Sequence, residues 1–306
     1  MPSGHAGASL ALADGAAPIL LRYTAPYDWP SMRNWLAARA VAGMECVRAD
    51  GYTRTARAGA SPAVVDVRHV PERSGFEMRV VAPAPVDTAA IAVRIRRVFD
   101  LDRDPSVATD DVWRDPQLAR LAARHPGLRI PGGWDPFELA VRAVLGQQVT
   151  VVAARQLATS LVAACGGRLP DGLATLGVGA TFPEAGDLRP DSVDALRMPG
   201  ARKATLLALA RAAGDVPAIF DPCRPLDAII AGLRAVKGIG DWTAHYVALR
   251  ALRAPDAFPA SDAGLLRGAE RLLGCRPSPA ALLRHAERWR PHRAYAAQVL
   301  WAEDGA

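Results

Sequence analysis

Cysteine is scarce and scattered. The four thiols, Cys46, Cys165, Cys223 and Cys275, lie far apart with no C-x-x-C pair and no Cys/His cluster. That spacing excludes a zinc site, an iron–sulfur site and a disulfide framework. Long hydrophobic runs are also missing: none approaches the ~20 apolar residues of a membrane span. The opening stretch MPSGHAGASLALADGAAPIL has no basic start, and Asp14 breaks its one apolar segment, so a signal peptide is not expected. Acidic residues are in modest deficit, 31 against 37 Lys+Arg, for a formal net charge of +6. This suits an acidic partner, although +6 over 306 residues does not by itself identify nucleic acid. The composition predicts a soluble cytoplasmic protein with reduced thiols.

What is present suffices for two globular units, with 50% hydrophobic and 22% charged residues. Residues 1–16 are small and polar and are expected to be disordered. Residues 17–105 mix signals. ILLRYTA and ECVRADGYTRTARA read as strands, and DWPSMRNWLAARAVAG as a helix capped by Asp28. PAVVDVRHV and GFEMRVVAP form a hairpin pattern around PERSG, and DTAAIAVRIRRVFDL a closing helix. This unit is α+β.

From residue 106 to residue 306 strand signals nearly vanish, and the expectation is an all-α region. In DPFELAVRAVLGQQVTVVAARQLATSLVAACGG, Asp135, Pro136 and Glu138 have capping-box spacing, and Gly146-Gln147-Gln148 interrupts two helices. Further helices fit DSVDALRM, ARKATLLALARAAG, PLDAIIAGLRAV, DWTAHYVALRAL, DAGLLRGAERLLG, PAALLRHAERW and HRAYAAQVLWAEDG. The region divides into a central part, 136–254, and a second part, 106–135 plus 255–306.

The segment Lys237-Gly238-Ile239-Gly240-Asp241-Trp242-Thr243 carries the first chemical signal. Two glycines around one apolar residue permit φ > 0 on both sides of a side chain that plugs the core. The N–H groups opening the next helix are then unpaired and lie at the positive end of its dipole, a cradle for a phosphodiester. An αα-corner closed by a glycine C-cap is the plainer reading. As a helix–hairpin–helix the segment grips DNA backbone without reading sequence. Twenty residues after Trp242 comes FPASDAGLLRGAERLL, with Asp262 opening a helix; alone, Asp262 or Ser261 reads as an N-cap.

Hairpin, second helix, loop and then Asp262 resemble the helix–hairpin–helix DNA glycosylase superfamily. PYDWPSMRNWLAARAV, FELAVRAVLGQQVTV and AERWRPHRAYAAQVLW resemble segments of its AlkA-type DNA-3-methyladenine glycosylase II branch, over about residues 20–305. The resemblance implies an enzyme that excises alkylated purines from duplex DNA, acting as a monomer in the cytoplasm at the nucleoid. It implies no required cofactor. A Na or K ion held by the carbonyls of Arg234, Val236 and Ile239 is a further expectation.

Lyase-type relatives carry a lysine where this chain has Trp242, and an indole cannot form an imine, so the implied enzyme is monofunctional. Asp262 is the implied catalytic carboxylate, and the positive end of its helix dipole stabilises negative charge there. Trp242 and Tyr246, one turn apart, share a helix face. With Trp35 and Trp301 they are the implied base pocket, attracting a cationic base through stacking and cation–π contact; taken singly, each ring also suits a core. Gln148, with Gln147, is the implied wedge that fills the stack when the base is flipped, or else a polar helix break. Leucine is usual at the wedge of the AlkA type, and tyrosines stand in the best-known relative where this chain has Ala263 and Ala302, implying a roomier pocket. The basic stretch RHAERWRPHR reads more simply as a solvated face than as a set of phosphate ligands. Two other readings stay open: a hairpin module that only binds DNA, and an oxidised-base glycosylase of the same superfamily.

Overall fold

In the computed structural model the described residues are 17–58, 61–104, 114–174 and 177–305; the segment 1–16 lies outside them. Five antiparallel strands, β1 (Ile19–Arg22), β2 (Glu45–Val47), β3 (Gly51–Ala58), β4 (Ser61–Val70) and β5 (Gly75–Val81), form one sheet in the order β1-β5-β4-β3-β2. Alternation along the strands separates two faces. Tyr52, Val67 and Met78 line up across three strands and face α1 (Trp29–Arg39) and α2 (Thr88–Phe99) in one core with Met32, Leu36, Ile95 and Phe99. Val64 and Val81 face the other way, where Leu169, Leu173 and Val178 cover them. The chain beyond residue 165 thus returns to the sheet, pinned by the isolated bridge Gly43–Val178. Asp28 and Asp87 cap the two helices, accepting N–H bonds from Ser31 and Ala90, so the α+β expectation holds.

The remaining regular elements among the described residues are helices, with two isolated bridges. They form α3 (Pro116–Ala122), α4 (Pro136–Leu145), α5 (Val151–Cys165), α6 (Pro190–Asp194), α7 (Gly200–Asp215) and α8 (Leu226–Arg234). α9 (Asp241–Arg250), α10 (Ala263–Leu273), α11 (Pro279–Ala286) and α12 (Arg293–Asp304) complete the set. One contiguous core joins them from Leu118 to Trp301. The sequence reading passed over α3, whose seven residues are too few for a periodic signal. Asp115 caps it and also accepts the Trp289 indole N–H, tying it to the C-terminal helices.

Two junctions set the position of the site. The first joins sheet to helices. Asp135 caps α4, but Glu138 does not complete the expected capping box. Its carboxylate is buried and receives Arg54 of β3 at 2.7 Å, while Arg142 one turn on donates to Glu45 at 2.6 Å. Tyr52 donates to the other Glu45 oxygen. A cap bond to one exposed N–H is weaker than neutralising a buried guanidinium, so the ion pair wins. Burial pushes the Glu45 carboxyl up, but Arg142 and Arg54 prevail and hold it below its usual range. The second junction is the crossing of α10 on α12. A Cβ at Gly268 would stand 2.0 Å from the Leu300 carbonyl oxygen, and one at Gly264 3.2 Å from Trp301 Cδ1. Only a glycine at 268 permits this approach, which brings Trp301 against the start of α10.

Candidate active site

A cavity of about 510 Å³ opens where α1, α4, α5, α9, α10 and α12 meet. It brings together the predicted residues Trp35, Trp242, Tyr246, Asp262 and Trp301, which lie as much as 266 positions apart in sequence.

Asp262 is the N-cap of α10, and its Oδ1 accepts the Leu265 N–H at 3.0 Å. The plainer cap reading is therefore true, and it does not exclude the other. Oδ1 also accepts the Trp301 indole N–H at 2.8 Å, and Oδ2 accepts the Trp242 indole N–H at 2.8 Å. A carboxylate has about four acceptor positions. Three are occupied and oriented, leaving one on Oδ2 for a group in the cavity. Trp242 and Trp301 thus hold the carboxylate as well as forming wall, which their spacing did not reveal.

The ring faces meet as the helix geometry predicts. Trp242 and Tyr246 stack with centroids 5.3 Å apart and planes 19° apart. Trp301 stands edge-on to Tyr246 at 6.3 Å and 78°. Trp35 comes from α1 in the α+β unit, half-buried, and its Nε1 makes no hydrogen bond with the described residues.

Arg250 was missed by sequence reasoning. It is buried, lines the cavity, and holds its guanidinium 4.5 Å from the Trp301 ring, 5.2 Å from Trp35 and 5.8 Å from Tyr246. Its Nη1 donates to Pro131 O and Gln298 Oε1, both at 3.0 Å. No carboxylate among the described residues pairs with it. The signal was available: Trp242, Tyr246 and Arg250 are spaced four by four on one helix stripe. Arg39 was missed as well; it stacks on Trp35 at 4.6 Å and lines the same cavity.

At the hairpin, Gly238 has φ +91° and a Cβ there would fall 1.9 Å from Thr205 Oγ1, so the turn requires glycine. Gly240 departs from expectation. Its backbone is extended (φ −95°, ψ −178°), because α9 starts directly after it, and nothing stands near its α-carbon. That openness leaves the helix start approachable. Ile239 is buried as a plug and Lys237 is exposed. Thr243 is buried and accepts a bond from the Gln147 side chain at 3.0 Å, so its hydroxyl is not offered outward as expected.

The same contact corrects the reading of Gln147 as part of the wedge. Its amide donates to Gly238 O and to Thr243 Oγ1, both at 3.0 Å, bracing this loop on the hairpin. Gln148 is exposed with φ +56°, in the left-handed region that turns a side chain off the helix path. The basic C-terminal stretch is mostly neutralised internally: Arg293 is buried on Asp256, Arg290 pairs with Asp256 and Glu287, and Trp289 is buried.

An α+β unit, a helical bundle with a hairpin, and an Asp at the mouth of an aromatic cavity are the architecture of helix–hairpin–helix DNA glycosylases. Residues 18–135 match the family model of the AlkA N-terminal domain. The chain is 35% identical over 300 residues to DNA-3-methyladenine glycosylase 2 of Escherichia coli, covering 93% of this chain and 97% of that protein. It therefore belongs to the DNA-3-methyladenine glycosylase 2 (AlkA) family. It is also 38% identical over 287 residues to the probable bifunctional transcriptional activator/DNA repair enzyme AlkA of Mycobacterium tuberculosis, covering 94% of this chain but spanning 57% of that protein's length. Among solved structures, the 3-methyladenine DNA-glycosylase of Archaeoglobus fulgidus superposes with a TM-score of 0.79 at 20% identity, covering 94% of this chain and 98% of that one; at that identity the likeness is one of fold.

Proposed function

We propose that the protein is a monofunctional DNA glycosylase that flips alkylated purines out of duplex DNA and hydrolyses their N-glycosidic bond. The observation that carries this reading is the Asp262 carboxylate, fixed by two indole N–H groups and one backbone N–H at an aromatic cavity with one acceptor position unfilled. In the reaction the C1′–N9 bond breaks with its electron pair leaving on the base, and positive charge develops on the sugar. A preoriented carboxylate stabilises that charge without reorganising. Its remaining lone pair accepts a proton of the attacking water, which adds to C1′ and leaves an abasic site.

Trp242 and Tyr246 supply the electron-rich faces for a cationic base. The chain has two lysines, Lys203 and Lys237, and neither lines the cavity. Lys203 donates to the Asp194 carbonyl at 2.7 Å and lies 3.7 Å from its carboxylate, which supports hydrolysis over imine-forming strand cleavage. Gly240, the start of α9 and exposed Lys237 take the DNA backbone, and Gln148 fills the vacated stack. The carbonyls of Arg234, Val236 and Ile239 suit a hard monovalent cation. Val236 O already accepts the Ile239 N–H and keeps a second lone pair. The monomer is the expected working form.

Asp262→Asn should lower single-turnover release of 3-methyladenine from methylated duplex at least about a hundredfold, with DNA affinity changed only a few-fold. Release at the parent rate would end the assignment. Incubation of the parent protein with methylated, oxidised and undamaged duplexes separates the alternatives: 3-methyladenine release without strand nicking is expected, and binding without release would indicate a binding module.

A further inference from the structure

The cavity holds one feature that an aromatic box for cations does not need, a buried guanidinium in its wall. Asp262 bonds Trp242 at one end of the α9 stripe, and Arg250 lies two turns farther on, about 12 Å along the helix axis. Trp301 touches both, with its N–H on Asp262 and its face 4.5 Å from the guanidinium. We infer that Arg250 is a fixed positive charge on the base side of the cavity that drives charge from base to sugar as the glycosidic bond breaks. This role rests on the glycosylase reading above.

The bookkeeping of charge decides what Arg250 does. When the C1′–N9 pair of electrons leaves on the base, the charge of the base falls by one unit and that of the sugar rises by one. An alkylated cationic base leaves neutral; a neutral base leaves as an anion that takes its proton from water. In both cases the positive side chain favours the change, and the Asp262 carboxylate favours the matching change on the sugar. Before the bond breaks, the two kinds of base differ. A cationic base is repelled by Arg250 and attracted by the rings, whereas a neutral base meets no such repulsion. Arg250 therefore sacrifices ground-state affinity for the cationic base and gains rate, a difference in binding between ground and transition state.

Three observations make the charge available. No carboxylate among the described residues forms an ion pair with Arg250, its bonds go to neutral acceptors on Pro131 and Gln298, and its Nε is buried without a partner. Burial lowers its pKa to about 10, with Tyr246 and, more weakly, the Asp262 carboxylate opposing, which leaves it charged at neutral pH.

The test uses the full chain and duplexes carrying 7-methylguanine, a cationic base, or hypoxanthine, a neutral one. Arg250→Gln removes the charge. Gln298→Glu neutralises it in place with almost no change of shape, and stands in if the first variant does not fold. Either variant should lower the single-turnover rate on both duplexes by about ten- to a hundredfold. In an Asp262→Asn background, either should tighten binding of the 7-methylguanine duplex several-fold and leave the hypoxanthine duplex unchanged. Arg250→Lys should recover most of the rate. Unchanged rates in both variants, or weakened binding of both duplexes alike, would overturn the inference while leaving the glycosylase reading intact. Failure of the parent protein to release either base would instead remove that reading.

Discussion

Arg54 and Arg250 are both buried, at 3% and 2% exposure, and both lie over an indole face, Trp134 and Trp301, yet their carboxylate partners differ. Arg54 meets Glu138 at 2.7 Å and Glu45 at 3.8 Å. Although burial pulls its pKa down, Glu138 and the neighbouring acidic groups raise it further above the ordinary value. Arg250 has ring faces and neutral oxygens, and its pKa falls to about 10 because burial dominates. The first arginine neutralises charge where the sheet meets α4. The second has no ion-pair partner among the described residues and lines the cavity proposed to take the base. A buried charge without a counter-ion costs stability, so its retention inside a cavity points to use, whereas a matched pair points to assembly.

The largest way to break this contrast is at the matched pair. Glu138→Gln strips Arg54 of its nearest counter-charge and should destabilise the protein by about 3–5 kcal/mol, read from urea or guanidinium midpoints. Replacing Arg54 by Leu and Glu138 by Leu together should recover most of that loss. Equal losses in single and double variants would show that the packing around the pair, not its charge, holds the junction.

At the other pole, Trp301→Phe keeps the ring contact with Tyr246 and removes one donor to Asp262. The cost of a lost bond to a charged group, about 1.5–3 kcal/mol, should appear as a roughly ten- to hundredfold slower base release. Thermal stability should change little.

The two regions should also separate with pH. The folded pKa of Glu45 lies below its ordinary value of 4.5, so the ionised form is the one favoured by folding. Its contribution is fully present above the unfolded pKa and is lost as pH falls through the lower, folded value. Stability should thus hold from neutral pH to near pH 5 and decline in more acid solution, and Glu45→Gln should flatten that decline. A decline unchanged in the variant would assign acid sensitivity to other carboxylates. The smallest effect is expected at the brace between loop and hairpin: Gln147→Ala should lower stability by about 1 kcal/mol and DNA affinity a few-fold, seen in a fluorescence-anisotropy titration.

Much of the site was legible because it is written in local spacing. A tight Gly238 turn, a ring stripe at Trp242 and Tyr246, and a carboxylate at a helix start all follow from rules that act within one or two turns of chain. Arg250 continued that stripe and was overlooked because arginine at such a position usually marks the solvent edge. Glu138 had the spacing of a capping residue and became half of an ion pair, since its partner comes from a strand eighty-four residues earlier. Thr243 had the look of an outward contact until Gln147 from another helix junction covered it.

Apart from the short α3, local sequence alone therefore settled which elements form and which chemical groups ride on them, because backbone dihedrals and helix periodicity are short-range properties. It did not settle which groups meet. That two indoles would point into one carboxylate, that one buried arginine would be neutralised and another left bare, and that one glutamine would brace while the next turns outward were decided by helix crossings. Contacts such as Gly268 on Leu300 and β3 on α4 join residues distant in sequence, and only the packed fold brings such residues within bonding distance.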